Sequence, residues 1–125
     1  MVKQPFASID GAPAVGPYSP AVGEAGLLFL SGQVALDSDG QTVGTTAEEQ
    51  ARKALENMRS LLAAAGMEMD SVVKTTIFLT DMSDFAAVNE VYADFFSAPY
   101  PARSTVEVAA LPKGLRVEID AIALR

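Results

Sequence analysis

The chain has 125 residues, 50% of them hydrophobic, and carries a formal net charge of −7. That length can bury one real core, and that charge argues against a binder of phosphate backbones, which needs a basic face. Cysteine and histidine are both absent, which removes disulfides, thiolate nucleophiles, soft metal sites, the Ser-His-Asp triad and the commonest general base.

Any chemistry must therefore come from Arg, Lys, Asp, Glu, Ser, Thr, Tyr, backbone groups and water. Carboxylates alone suit hard ions, so neither a transition metal nor another cofactor is expected. The start, Met1-Val2-Lys3-Gln4-Pro5-Phe6, lacks the apolar core of a signal peptide. No apolar run approaches the roughly 18 residues of a membrane span. The expectation is a cytoplasmic protein with one domain over residues 1–125 and no membrane or nucleic-acid partner.

Residues 12–21 are rich in turns. Gly16-Pro17-Tyr18-Ser19-Pro20 holds Tyr18 extended between two prolines. The tyrosine reads either as a plug at the core edge or as a presented site residue. Residues 26–36 read as a strand, interrupted by Ser31-Gly32-Gln33, where the glycine implies a bulge or a close backbone approach. Asp37-Ser38-Asp39-Gly40 is a turn.

The first helix has the clearest signal. Thr45 with Glu48, and Thr46 with Glu49, both have capping-box spacing. Ala51, Ala54, Leu55, Met58, Leu61, Leu62 and Ala65 then form one apolar stripe, and Gly66 suits the left-handed position past the end. Residues 71–80, with Val72, Val73, Thr75, Thr76 and Ile77, read as a strand. A second helix is predicted from 83 or 84 to 97, with Phe85, Val88, Val91, Tyr92, Phe95 and Phe96 buried and Pro99 as its stop. Asn89 falls near that stripe, where an amide needs a partner; it caps a neighbouring loop or faces a pocket.

Tyr100-Pro101-Ala102-Arg103 places an arginine between a proline-fixed turn and an alternating run. Residues 104–111 and 115–122 read as two strands pairing as a hairpin about residue 113. In the second, Leu115, Val117, Ile119 and Ala121 share one face, and Arg116, Glu118 and Asp120 the other. Two helices cover only one face of such a sheet, and the bare, partly apolar face predicts a homo-oligomer. In the hairpin pairing, Arg103 and Glu118 border one cleft. Arginine's planar fork matches a carboxylate, and a glutamate beside it orients or deprotonates a water. A structural ion pair is the competing reading.

Gly16-Pro17-Tyr18-Ser19-Pro20-Ala21, Ser31-Gly32-Gln33, residues 73–79, Pro101-Ala102-Arg103 with Val106-Glu107-Val108, Leu111-Pro112-Lys113-Gly114 and residues 117–123 resemble, in order and over nearly the whole chain, the signatures of the RidA (YjgF) family. The resemblance implies an α+β, chorismate-mutase-like (ferredoxin-like) fold: a mixed β-sheet with two helices on one face. It implies a homotrimer around a central β-barrel, with sites between subunits. The implied activity is hydrolysis of reactive enamines and imines, such as 2-aminoacrylate and 2-iminopropanoate, to a 2-keto acid and ammonia. Arg103 matches the arginine that grips the substrate carboxylate, and Glu118 the acid that orients water. Tyr18, Ser31 and Asn89 match other pocket positions. Thr105 stands where many members have cysteine, a position whose contact is largely backbone. Two other readings stay open: a module that binds or senses a 2-keto acid, and an endoribonuclease or translation inhibitor.

Overall fold

The computed structural model describes residues 2–125. Its described residues form strands β1 (Gln4–Phe6), β2 (Ala21–Glu24), β3 (Leu27–Gln33), β4 (Val72–Leu79), β5 (Ala102–Glu107) and β6 (Val117–Leu124), with helices α1 (Ala47–Ala64) and α2 (Phe85–Ala93). The strands make one mixed sheet in the order β1-β2-β3-β6-β4-β5. Only β4 and β5 run parallel. The α+β class read from the sequence is the class observed.

Alternation decides which face of the sheet is covered. Leu28 and Leu30 on β3, Ile77 and Leu79 on β4, and Val117, Ile119, Ala121 and Ala123 on β6 are buried in one core with both helices. From α1 that core takes Ala51, Leu55, Met58, Leu61 and Leu62. Thr46 caps α1: its hydroxyl accepts from Glu49 N at 3.2 Å, and Glu49 Oε1 accepts from Thr46 N at 3.1 Å. Of the two possible capping boxes, this one forms, and Thr45 N instead adds a further bond to Glu49. Gly66, at φ +72°, follows the helix, and Arg125 Nη2 donates to Ala65 O. No helix among the described residues is long and apolar enough to cross a membrane.

The last two strands do not form the hairpin expected from their alternation. β5 pairs with β4, whereas β6 lies between β3 and β4, antiparallel to both. The burial pattern explains this. Every second side chain of β6 is buried, as suits a central strand, while β5 has no fully buried residue and forms an edge. Alternation shows which side chains share a face but not which strand lies alongside.

The second helix is shorter than predicted. A 3-10 turn over Met82–Asp84 precedes it, and it ends at Ala93, well before Pro99. Asp94 N and Phe95 N donate to the carbonyls of Val91 and Tyr92 at 3.0 Å, three residues back, so the last turn tightens. The two phenylalanines diverge there. Phe96 is buried against Tyr92, ring centroids 4.4 Å apart, whereas Phe95 lies beneath the guanidiniums of Arg52 and Arg59. Phe85, expected in the buried stripe, is 39% exposed.

β2 and β3 join through Ala25 and Gly26, both at positive φ, the geometry of a tight twisted hairpin. β3 shifts register between Leu30 and Gln33, so the expected bulge lies at Ser31-Gly32. The uncovered face exposes Leu27, Phe29, Val106 and Leu124.

Candidate functional site

The sequence-expected site residues fall into two groups on opposite faces of the sheet. Arg103 pairs in register with Thr75, and Thr105 with Ile77. Thr75 and Ile77 point into the core, so Arg103 and Thr105 share the helix-covered face. Glu118 pairs with Phe78, and its own neighbours Val117 and Ile119 are the buried ones. Glu118 therefore projects from the bare face. Within one chain, Arg103 and Glu118 do not border a common cleft. That expectation rested on the hairpin, and it fails with it.

The first group lies at the sheet edge beneath α2. The Arg103 guanidinium carbon is 4.9 Å from the centroid of the Tyr92 ring and 5.6 Å from that of Phe85. Tyr92 is buried, and its hydroxyl shares a 2.8 Å hydrogen bond with Thr75 Oγ1. Burial pushes the Tyr92 phenol pKa up, against the opposing effects of Thr75 and Arg103. Asn89 is half-buried on the α2 face that carries Phe85 and Tyr92, one turn from each. Thr105 turns its hydroxyl inward, where its oxygen is buried without a hydrogen-bond partner. Among the described residues, ion pairs join Arg52 to Asp94 and Arg116 to Asp84. No carboxylate among the described residues forms an ion pair with Arg103.

Tyr18, Ser31 and Glu118 form the second group, in the wall of a cavity of about 660 Å³. Tyr18 is not a plug at the core edge: it is 53% exposed and lines this cavity. Ser31 fastens the proline-rich loop to the bulge. Its N–H donates to Pro20 O at 2.8 Å and its hydroxyl to Ser19 O at 2.6 Å. The Ser31 hydroxyl proton is thus committed, and its oxygen is left to accept. A Cβ at Gly32 would run into the Glu118 carboxyl, so the glycine lets that flexible side chain lie directly over the bulge. Burial raises the Glu118 pKa, and the charge of Asp120 raises it further. Lys113 closes the far wall by donating from Nζ to Gly40 O at 2.6 Å.

Sequence reading missed the support beneath Arg103. Phe85 and Tyr92 were legible only as members of an apolar stripe, because a seven-residue spacing gives the same pattern for a core and for a cation's seat. The bulge at Gly32 was legible, but not its closeness to Glu118.

The fold that carries these residues occurs in known proteins. The profile of the Endoribonuclease L-PSP family matches residues 9–125. A RutC family protein of Sinorhizobium fredii is 48% identical over 120 residues, covering 95% of each chain. The 2-iminobutanoate/2-iminopropanoate deaminase of mouse is 45% identical over 126 residues, covering 100% of this chain and 93% of the mouse protein. The crystal structure of RidA from the Antarctic bacterium Psychrobacter sp. superposes with a TM-score of 0.93 at 41% identity, covering 98% of this chain and 99% of that one. Relatives thus bear the names RutC and deaminase, under a family description that reads endoribonuclease. With sequence and structure matching over almost their whole length, the chain belongs to the RidA (YjgF) family, whose profile is described as Endoribonuclease L-PSP.

Proposed function

We propose that the protein hydrolyses 2-iminobutanoate/2-iminopropanoate-type imines to 2-keto acids and ammonia, at sites completed between copies of the chain. One observation carries this reading: Arg103 keeps its guanidinium unneutralised at a sheet edge. A fixed, unpaired fork of N–H donors fits a small carboxylate. The names of relatives at 43–45% identity supply the rest of the substrate.

An imine carbon next to a carboxylate is already electrophilic, so water adds to it without a metal or a covalent nucleophile. Arg103 holds the carboxylate. Glu118, as its anion, takes a proton from the attacking water while oxygen bonds to carbon. Glu118 passes that proton to the imine nitrogen, which completes a carbinolamine, and then carries the carbinolamine hydroxyl proton to the same nitrogen as the C–N bond breaks, so ammonia leaves a ketone carbonyl behind. The raised pKa of Glu118 suits such a shuttle, since a base works best with a pKa nearer the operating pH. Positioning and the exclusion of water supply the rest of the acceleration.

Arg103 of one copy would meet the Tyr18–Ser31–Glu118 cavity of the next when the bare faces, with Phe29 and Leu124 exposed, associate. Thr105 would contribute through the backbone of edge strand β5. The test is ammonia release from 2-aminoacrylate made in situ by a dehydratase. Arg103→Ala should abolish it, and unchanged turnover overturns the reading.

The profile's description favours a second reading, an endoribonuclease. The −7 charge and the missing histidines weigh against it. Salt-sensitive RNA binding with cleavage that Glu118→Gln abolishes would favour it.

A further inference from the structure

Arginine carries its planar group on a long flexible stem, so a carboxylate clamp needs something to fix the plane. An acidic partner would do this, but it would occupy the N–H edge and cancel the charge. Here the support is aromatic. Tyr92 and Phe85 present ring faces within cation–π range of the Arg103 guanidinium, at 4.9 and 5.6 Å. Ring faces engage the flat side of the cation and leave its N–H donors free.

The two rings are held differently. Tyr92 is locked at both ends: its ring packs on Phe96, and its hydroxyl bonds Thr75 Oγ1. Thr75 is in turn the register partner of Arg103 on β4, so strand, helix and arginine close a triangle. Phe85 has no such role in the core. It sits at the first turn of α2, 39% exposed, and its contact with Arg103 gives it a function that burial does not.

We propose that Phe85 and Tyr92, with Thr75 locking Tyr92, are positioning residues that fix the plane of Arg103 and so set the preference for carboxylate-bearing ligands over neutral ones. This rests on Arg103 being the carboxylate clamp.

The experiment compares kcat and KM for an imine generated in situ. It also compares inhibition by 2-oxobutanoate and by its neutral amide, with thermal melts as a check on folding. Phe85→Leu should raise KM about three- to tenfold, move kcat less, and narrow the preference for acid over amide. Tyr92→Leu should do more, and Tyr92→Phe, which keeps the ring, less than Tyr92→Leu. In an Arg103→Lys background the Phe85→Leu effect should shrink to about twofold or less, because an ammonium has no plane to fix. The positioning role is overturned if Phe85→Leu keeps the wild-type KM and acid preference, or if it acts equally in both backgrounds. Should Tyr92→Leu fail to melt cooperatively, the Phe85 comparison alone decides. Full turnover in Arg103→Ala would defeat the clamp and the positioning together. Loss of turnover there with an inert Phe85→Leu would defeat only the positioning.

Discussion

The two halves of the site are held by opposite means. Around Glu118 the support is polar and close: Ser31 makes two bonds to the loop carbonyls, and Gly32 gives up a side chain to admit the carboxyl. Around Arg103 it is apolar, two ring faces and a buried tyrosine–threonine pair. In both, the charge is left without a counter-charge among the described residues. A half-buried cation and a half-buried anion, each unpaired and on opposite faces of one sheet, make an unfinished site. Electrostatics favours completion by something that brings both charges to one small molecule, and two copies of the chain facing each other would do so.

The strongest way to break this comparison is to separate the halves genetically. Glu118→Gln should lower kcat by about 10²–10⁴-fold, the usual span for a lost general base, and Arg103→Ala should be as damaging through substrate capture. Mixed, unfolded and refolded together, the two inactive proteins should recover measurable deaminase activity, because some sites would take a sound Arg103 from one copy and a sound Glu118 from the other. No recovery, in mixtures shown by native mass spectrometry to contain both chains, would mean that each chain carries its own complete site.

A weaker effect should follow from the bulge. Gly32→Ala drives a methyl group into the Glu118 carboxyl, so about a tenfold or larger fall in kcat is expected from displacing the base. Keto-acid affinity, which depends on Arg103, should change far less. A matching loss of affinity would show that the two halves are not independently built.

How much of this was legible in the sequence depends on the kind of order involved. The Thr46–Glu49 cap, the α1 stripe, the β3 bulge and the faces of β6 are local patterns, and local patterns survive into the fold. Strand partners are not local. The regular spacing of residues 104–122 fitted a hairpin, yet β6 is bonded along both edges, to β3 and to β4. The end of α2 at Ala93, where the last turn tightens, is likewise not marked by any stop signal before Pro99. Arg103 and Glu118 could be named from the sequence. That they face away from each other follows from the pairing of β5 with β4, which no residue of β5 announces.

The finest distinction between the halves lies in pH. Glu118 must be ionised to take a proton from water, so activity should fall as pH drops through its pKa, giving an acidic limb in kcat/KM. Burial first, and then Asp120, place that pKa above the ordinary carboxylate value, so the limb should lie correspondingly high. Asp120→Asn removes the like charge and leaves the burial. Its amide oxygen can still accept from Thr76 N, as the carboxylate does at 3.0 Å. The acidic limb should therefore move to lower pH while remaining above the range of an exposed glutamate. The preference for acid over amide, governed by Arg103 on the other face, should not move with it. A limb that stays in place or shifts upward would remove Glu118 as the titrating base. A shift accompanied by altered carboxylate preference would instead place Asp120 within reach of the substrate.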